Sequence, residues 1–95
     1  ESSKPVLERV AEILLDNPEV NIKVEGHSDT DGPEDINLDL SKSRAEAVME
    51  FLISKGVDPN RISATGYGET RLKIDPEITA QDRADNRRIE FRVLF

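Results

Sequence analysis

The 95-residue sequence has no Cys, no Trp, one His and one Tyr. Its apolar runs are only a few residues long. Without Cys there are no disulfides to staple small units, so the length suits one domain with one hydrophobic core. The missing Cys is compatible with the cytoplasm or with a periplasm-like space and does not choose between them. A single His without Cys leaves too few ligands for zinc, so no metal and no cofactor is expected. The shortage of aromatic rings leaves little flat surface on which a sugar could stack. The short apolar runs exclude a bilayer-spanning helix and hence direct membrane insertion. Positive charge is also short, with 13 Lys+Arg against 20 Asp+Glu and a net charge of −7. Such a chain has no basic field for nucleic acid or for an anionic membrane. It begins at Glu1 rather than Met, so it reads as an excised piece whose targeting signal would lie elsewhere.

Periodicity is what the chain does have. Residues 4–16 read as a helix, with Ser3 as N-cap, Pro5 in the first turn, and Val6, Val10, Ile13 and Leu14 on one face. Asn17-Pro18 stops it. Residues 20–26 switch to period two, with Val20, Ile22 and Val24 alternating with Asn21, Lys23 and Glu25, as in a half-buried strand. A polar loop leads to a second helix that starts between Pro33 and Asn37 and ends at Gly56, its apolar face carrying Leu38, Ala45, Val48 and Leu52. Residues 61–67 form a second strand, 69–79 an irregular loop, 80–85 a short helix, and Arg88–Phe95 a last strand. The order predicts an α+β fold: a small mixed sheet with two main helices packed on one face, over residues 1–95 as one domain. The first helix has no strand before it, so an opening strand is expected to have been trimmed.

Three groups of residues could carry chemistry. Glu25, Asp29, Asp31, Glu34, Asp35 and Asp39 crowd a segment without Lys or Arg. An EF-hand counted from Asp29 needs Gly at its sixth position and an acid at its twelfth; Glu34 and Leu40 stand there, and a solvated acidic loop is the better reading. His27-Ser28-Asp29 holds the residue types of a catalytic triad, but triad members converge from separate elements, and a hydrogen-bonding His at a strand end is the plainer reading. The third group is Arg44 on the second helix, beside Ser43 and Ala45, together with Asn86-Arg87-Arg88. A helical Arg is usually a surface residue with a carboxylate partner. It could also clamp a ligand carboxylate while an Asp holds the ligand's ammonium, as a zwitterion site would require.

Several motifs in one order carry a resemblance. They are Gly26-His27-Ser28-Asp29-Thr30-Asp31-Gly32, Asn37 followed by Leu40-Ser41 and Arg44-Ala45, Gly66-Tyr67-Gly68-Glu69, and Asn86-Arg87-Arg88-Ile89-Glu90. Together they resemble the OmpA-like C-terminal domain family over essentially the whole chain. The resemblance implies a βαβαββ layout and no enzymatic turnover. It implies non-covalent binding of peptidoglycan through the diaminopimelate of the stem peptide, anchoring the outer membrane or an envelope complex to the cell wall from the periplasm. It places the ligand-binding pair on Asp29 and Arg44, with Thr30, Asn37, Asn86 and Arg87 lining or bracing the same groove. Three positions depart from the family pattern: Ser28 in place of the commoner Thr, Leu72 where Pro is frequent, and Asp75-Pro76 in a slightly long loop. A protein-interaction or scaffold domain of the envelope is the alternative, since a missing strand would leave a sheet edge free and would favour a homodimer. A hydrolase built on Asp29 and Asp31 is the weakest reading, because no paired base or nucleophile accompanies them.

Overall fold

A computed structural model describes residues 4–94. The elements are α1 (Lys4–Asp16), β1 (Ile22–His27), α2 (Glu34–Ser54), β2 (Ile62–Gly68), α3 (Ala80–Asn86) and β3 (Ile89–Val93), with a single 3-10 turn at Pro59–Arg61. The sheet order is β2-β1-β3, with β1 parallel to β2 and antiparallel to β3. This is the expected α+β architecture. The expected opening strand and the Ser3 cap lie outside the described residues, as does Phe95.

The core forms where α1 and α2 meet the sheet. Ala11, Leu14, Ile22, Val24, Ala45, Leu52, Val57 and Ile62 are buried together. Burial along α1 follows Leu7, Val10, Ala11 and Leu14, while Val6 and Ile13 of the expected face are 59% and 46% exposed. The stripe is thus rotated by about one residue, because a helix that packs on one side buries a narrow i, i+3, i+4, i+7 row and leaves its flanks wet. Arg61 fastens this helix to β2: its guanidinium donates to the carbonyls of Leu14, Asn17 and Val20 at 2.8 Å each. Those are carbonyls at and just beyond the α1 C-terminus, which have no helical partner.

In α2 the expected face is also displaced. Leu38 is 44% exposed, and the buried row is Asn37, Ser41, Ala45 and Leu52. Polar residues fill the N-terminal half of that row because the helix runs close over the strands. A methyl group at Gly26 would fall on the Ser41 carbonyl oxygen, and one at Gly66 on the Lys42 backbone nitrogen. Only glycine permits so short a separation between helix and strand.

The sheet face turned away from α2 is polar but not open. Glu25 is 2% exposed, contrary to the half-buried pattern expected of β1. Burial works to raise its pKa, but hydrogen bonds from Arg92 and Lys23 overcome that and keep the carboxyl below its ordinary value. Beside it, His27 is 2% exposed and stacks on Tyr67 with ring centroids 5.4 Å apart. Neither His27 ring nitrogen has a hydrogen-bond partner among the described residues. Burial, helped by the positive charge of Arg88, lowers the His27 pKa from 6.5.

Two outcomes follow. Gly66→Ala should destabilise the fold by about 1–3 kcal/mol in urea titrations, since the added carbon meets backbone rather than a movable side chain. Burial favours the neutral form of His27 in the fold, and its pKa rises to the ordinary value on unfolding. Its contribution to stability is therefore complete above pH 6.5 and drains away as the pH falls below 6.5 toward the lowered folded value. The slope there should approach about 1.4 kcal/mol per pH unit at most, and His27→Phe should flatten it.

Candidate functional site

The end of β1 passes into a loop whose backbone is held at every step. The Ser28 amide donates to the Gly68 carbonyl at 2.8 Å, and the Ser28 hydroxyl donates to the Asp29 carbonyl at 2.9 Å. Asp29 Oδ1 accepts from the Asp31 amide at 3.0 Å, closing a turn in which a side chain replaces a backbone acceptor. Asn37, in the first turn of α2, donates its Nδ2 to the carbonyls of Asp29 (3.3 Å) and Asp31 (3.0 Å) and to Glu69 Oε1 (3.2 Å). One helical turn later, Ser41 Oγ accepts from the Gly68 amide at 2.8 Å. The polar half of the buried α2 face therefore fixes both the loop after β1 and the end of β2.

Asp29 itself is 5% exposed, and its second carboxylate oxygen pairs with Arg87 Nη1. Arg87 follows α3 directly and reaches back across 58 residues to make this pair. Half of its side chain stays in solvent, and it also lines an open groove of about 870 Å³ with Arg44 and Arg88. Val48, Phe51 and Phe91 supply apolar wall in the same groove. Arg88 is engaged with Glu90 and with the carbonyls of Asn86 and Arg71. Arg44 is exposed and forms no ion pair among the described residues. The groove thus holds one free guanidinium, and a second that leads to a buried carboxylate.

Asn86 is fully buried. Its Oδ1 accepts from the amides of Lys73 (2.8 Å) and Ile74 (2.9 Å), and its Nδ2 donates to the Ile74 carbonyl (2.9 Å) and Glu77 Oε2 (2.6 Å). The other carboxylate oxygen of Glu77 accepts from the Thr30 hydroxyl at 2.6 Å and the Thr30 amide at 3.2 Å. The Thr30 hydroxyl bond, together with that from Asn86, holds the Glu77 carboxyl below its ordinary pKa. Thr30 is exposed at the tip of its loop.

The six expected residues therefore divide by role, with Thr30 apart in a separate cleft lined by Asp31, Glu77 and Arg83. Asp29 and Arg87 meet directly, and Arg44 shares the groove with Arg87. Asn37 and Asn86, expected among the ligand contacts, are buried and spend their amides on loop backbone and on a neighbouring carboxylate; they are braces. Sequence reasoning missed Ser41 and Glu77. A small polar residue one turn after Asn37 was a usable signal for Ser41. None existed for Glu77, whose partner Thr30 lies 47 positions away.

The triad reading finds no support in the geometry. Asp29 is tied to Arg87 and Asp31, while the His27 ring stacks on Tyr67 and shares no hydrogen bond with Ser28 or Asp29 among the described residues. Glu25, His27 and Glu90 could present ligand atoms within 4.8 Å of one another, but Lys23, Arg92 and Arg88 already neutralise both carboxylates.

Comparison with known proteins agrees with this architecture. The chain is 41% identical over 87 residues to outer membrane porin F of Pseudomonas fluorescens, covering 92% of this chain and 26% of that protein. It is 36% identical over 88 residues to the peptidoglycan-binding protein ArfA of Mycobacterium tuberculosis, covering 93% of this chain and 27% of that protein. It therefore spans about a quarter of the length of these relatives. The crystal structure of the peptidoglycan-associated lipoprotein from Burkholderia pseudomallei superposes with a TM-score of 0.93 at 26% identity, covering 99% of this chain and 79% of that one. The sequence pattern of the OmpA family matches residues 1–87, and the chain belongs to that family.

Proposed function

We propose that this domain binds peptidoglycan without turnover, through the diaminopimelate of the stem peptide, and so ties an envelope protein to the cell wall on its periplasmic side. The observation that carries the reading is the groove in which the unpaired Arg44 stands with Arg87, itself joined to the buried Asp29. Diaminopimelate presents carboxylate and ammonium groups close together on one carbon. A free guanidinium can take the carboxylate through two parallel hydrogen bonds. Asp29 uses only part of its accepting capacity on Arg87 and Asp31, and a carboxylate offers about four lone-pair directions. The remainder can take the ammonium or hold the loop that faces it. Thr30, next to Asp29 in the chain, lines a separate cleft with Asp31, Glu77 and Arg83, where its amide and hydroxyl are held by Glu77.

Two relatives, a peptidoglycan-binding protein and a peptidoglycan-associated lipoprotein, support the wall as the partner. The relatives are also longer, which suits a wall-binding module attached to other envelope parts. Catalysis finds no support in the arrangement, since His27 is stacked on Tyr67 and shares no hydrogen bond with a hydroxyl or carboxylate among the described residues.

Arg44→Ala should leave circular dichroism unchanged, because the side chain is exposed and unpaired. It should weaken sedimentation with purified sacculi. Losing one charge-assisted contact of about 1.5–3 kcal/mol corresponds to about 10- to 150-fold in affinity. Wild-type sedimentation by that variant would remove Arg44 from the site. Asp29→Asn should reduce binding as well, and it should also lower the melting temperature, since Arg87 loses its partner and the loop loses a charged acceptor.

A further inference from the structure

We propose that Glu77 is a built-in competitor for the ligand's carboxylate, occupying the Thr30 donors until the ligand displaces it. This deepens the binding reading above and rests on it. The Glu77 carboxylate takes up the two Thr30 donors that an incoming carboxylate would use. One oxygen takes both the Thr30 hydroxyl and the Thr30 amide, at 2.6 and 3.2 Å, and the other takes Asn86 Nδ2 at 2.6 Å. An exposed residue offering two donors to one oxygen is a carboxylate receptor, and in the free protein the occupant is the protein's own side chain.

The surrounding chain is built so that this occupant can leave. Glu77 lies on a short span between two fixed points. On one side Asn86 Oδ1 holds the amides of Lys73 and Ile74 at 2.8 and 2.9 Å. On the other side Asp82 Oδ2 holds the amides of Ile78 and Thr79 at 2.9 and 3.0 Å, inside a capping box that starts α3. Only residues 75–77 lie between the anchors, so Glu77 can swing without unfolding the loop. Ile78 next to it is 78% exposed, so no apolar packing pins the tip. A cleft of about 340 Å³ is shared by Thr30, Asp31, Glu77 and Arg83. Arg83 forms no ion pair among the described residues and can receive the Glu77 carboxylate once it is displaced.

Competition of this kind lowers apparent affinity by the fraction of molecules in which the receptor is free. If Glu77 occupies it about nine-tenths of the time, removing the carboxylate raises affinity about tenfold. The factor is the same for every ligand that uses the Thr30 donors, so any preference for an ammonium-bearing ligand comes from its separate contact near Asp29.

The test is calorimetric titration of wild type, Glu77→Ala and Arg44→Ala with free meso-diaminopimelate and with pimelate, which has the same carboxylates and no ammonium groups. Glu77→Ala should bind diaminopimelate about tenfold more tightly than wild type, and pimelate should gain by the same factor where it uses the Thr30 donors. Unchanged or weaker binding of diaminopimelate by Glu77→Ala overturns the proposal. If circular dichroism shows that Glu77→Ala does not fold, Glu77→Gln, which removes the charge and keeps the shape, decides on the same criterion. Should wild type bind, Arg44→Ala fail and the Glu77 variant match wild type, the competitor is wrong while the binding reading stands. Should neither wild type nor the Glu77 variant bind, both are wrong.

Discussion

The backbone of α2 lies so close to β1 and β2 that neither Gly26 nor Gly66 has room for a side chain. That separation determines what can occupy the seam. Large apolar side chains do not fit there, so Asn37 and Ser41 take positions that a helix of this kind normally gives to Leu or Val. Being polar, they bond the loop after β1 and the end of β2. Being buried, they do so without competition from water, where an unmade bond would be costly. The same contact sets the rotation and register of the helix. Ala45 packs against Gly26, and Arg44, one position before it, is thereby carried to the groove shared with Arg87.

Asn37 and Asn86 solve the same problem at two places. Irregular loops leave backbone groups without regular partners, and each buried amide supplies both a donor and acceptors in a fixed plane. Asn37 secures the Asp29 loop, and Asn86 secures the segment that delivers Glu77. The polar face of the sheet contrasts with this. Glu25 is held by two cations, while the His27 nitrogens beside it have no partners among the described residues and burial of the ring lowers its pKa. One side of the sheet is a satisfied network that fixes geometry, and the other stores a dependence on pH.

The regular elements were legible because hydrophobic period and punctuation agree along the chain. Asn17-Pro18, Pro33 and Gly56 bound the long helices as their chemistry requires, and the alternation in β1 and β3 marks the core side of the sheet. The buried faces were less legible. In α1 the apolar residues form a band wider than the contact, so composition alone does not say which edge is wet. In α2 the buried row is half polar, and a search for apolar residues selects Leu38 in place of Ser41. Burial of Glu25 could not be read from β1 alone, since it depends on Arg92 arriving 67 residues later. Arg44 was singled out by its setting among small residues on α2, but its pairing with Asp29 came from the motif resemblance. Glu77 had neither signal, because its partners exist only once the loop has closed over Thr30.

Net charge proves a poor guide to the groove. The chain carries −7, and six carboxylates crowd residues 25–39. Two of them are neutralised inside the fold, Asp29 by Arg87 and Glu25 by Lys23 and Arg92. The other four stand exposed or face solvent along the loop and the start of α2. At physiological salt their influence fades over about 8 Å, so what a ligand meets is decided by its immediate neighbours. In the groove those neighbours are three arginines, two of them committed to partners and Arg44 free. A groove with one unpaired cation offers a polyanion little beyond its first charge. The chain's net acidity therefore does not count against an unpaired guanidinium in this groove, because no carboxylate of residues 25–39 lines it.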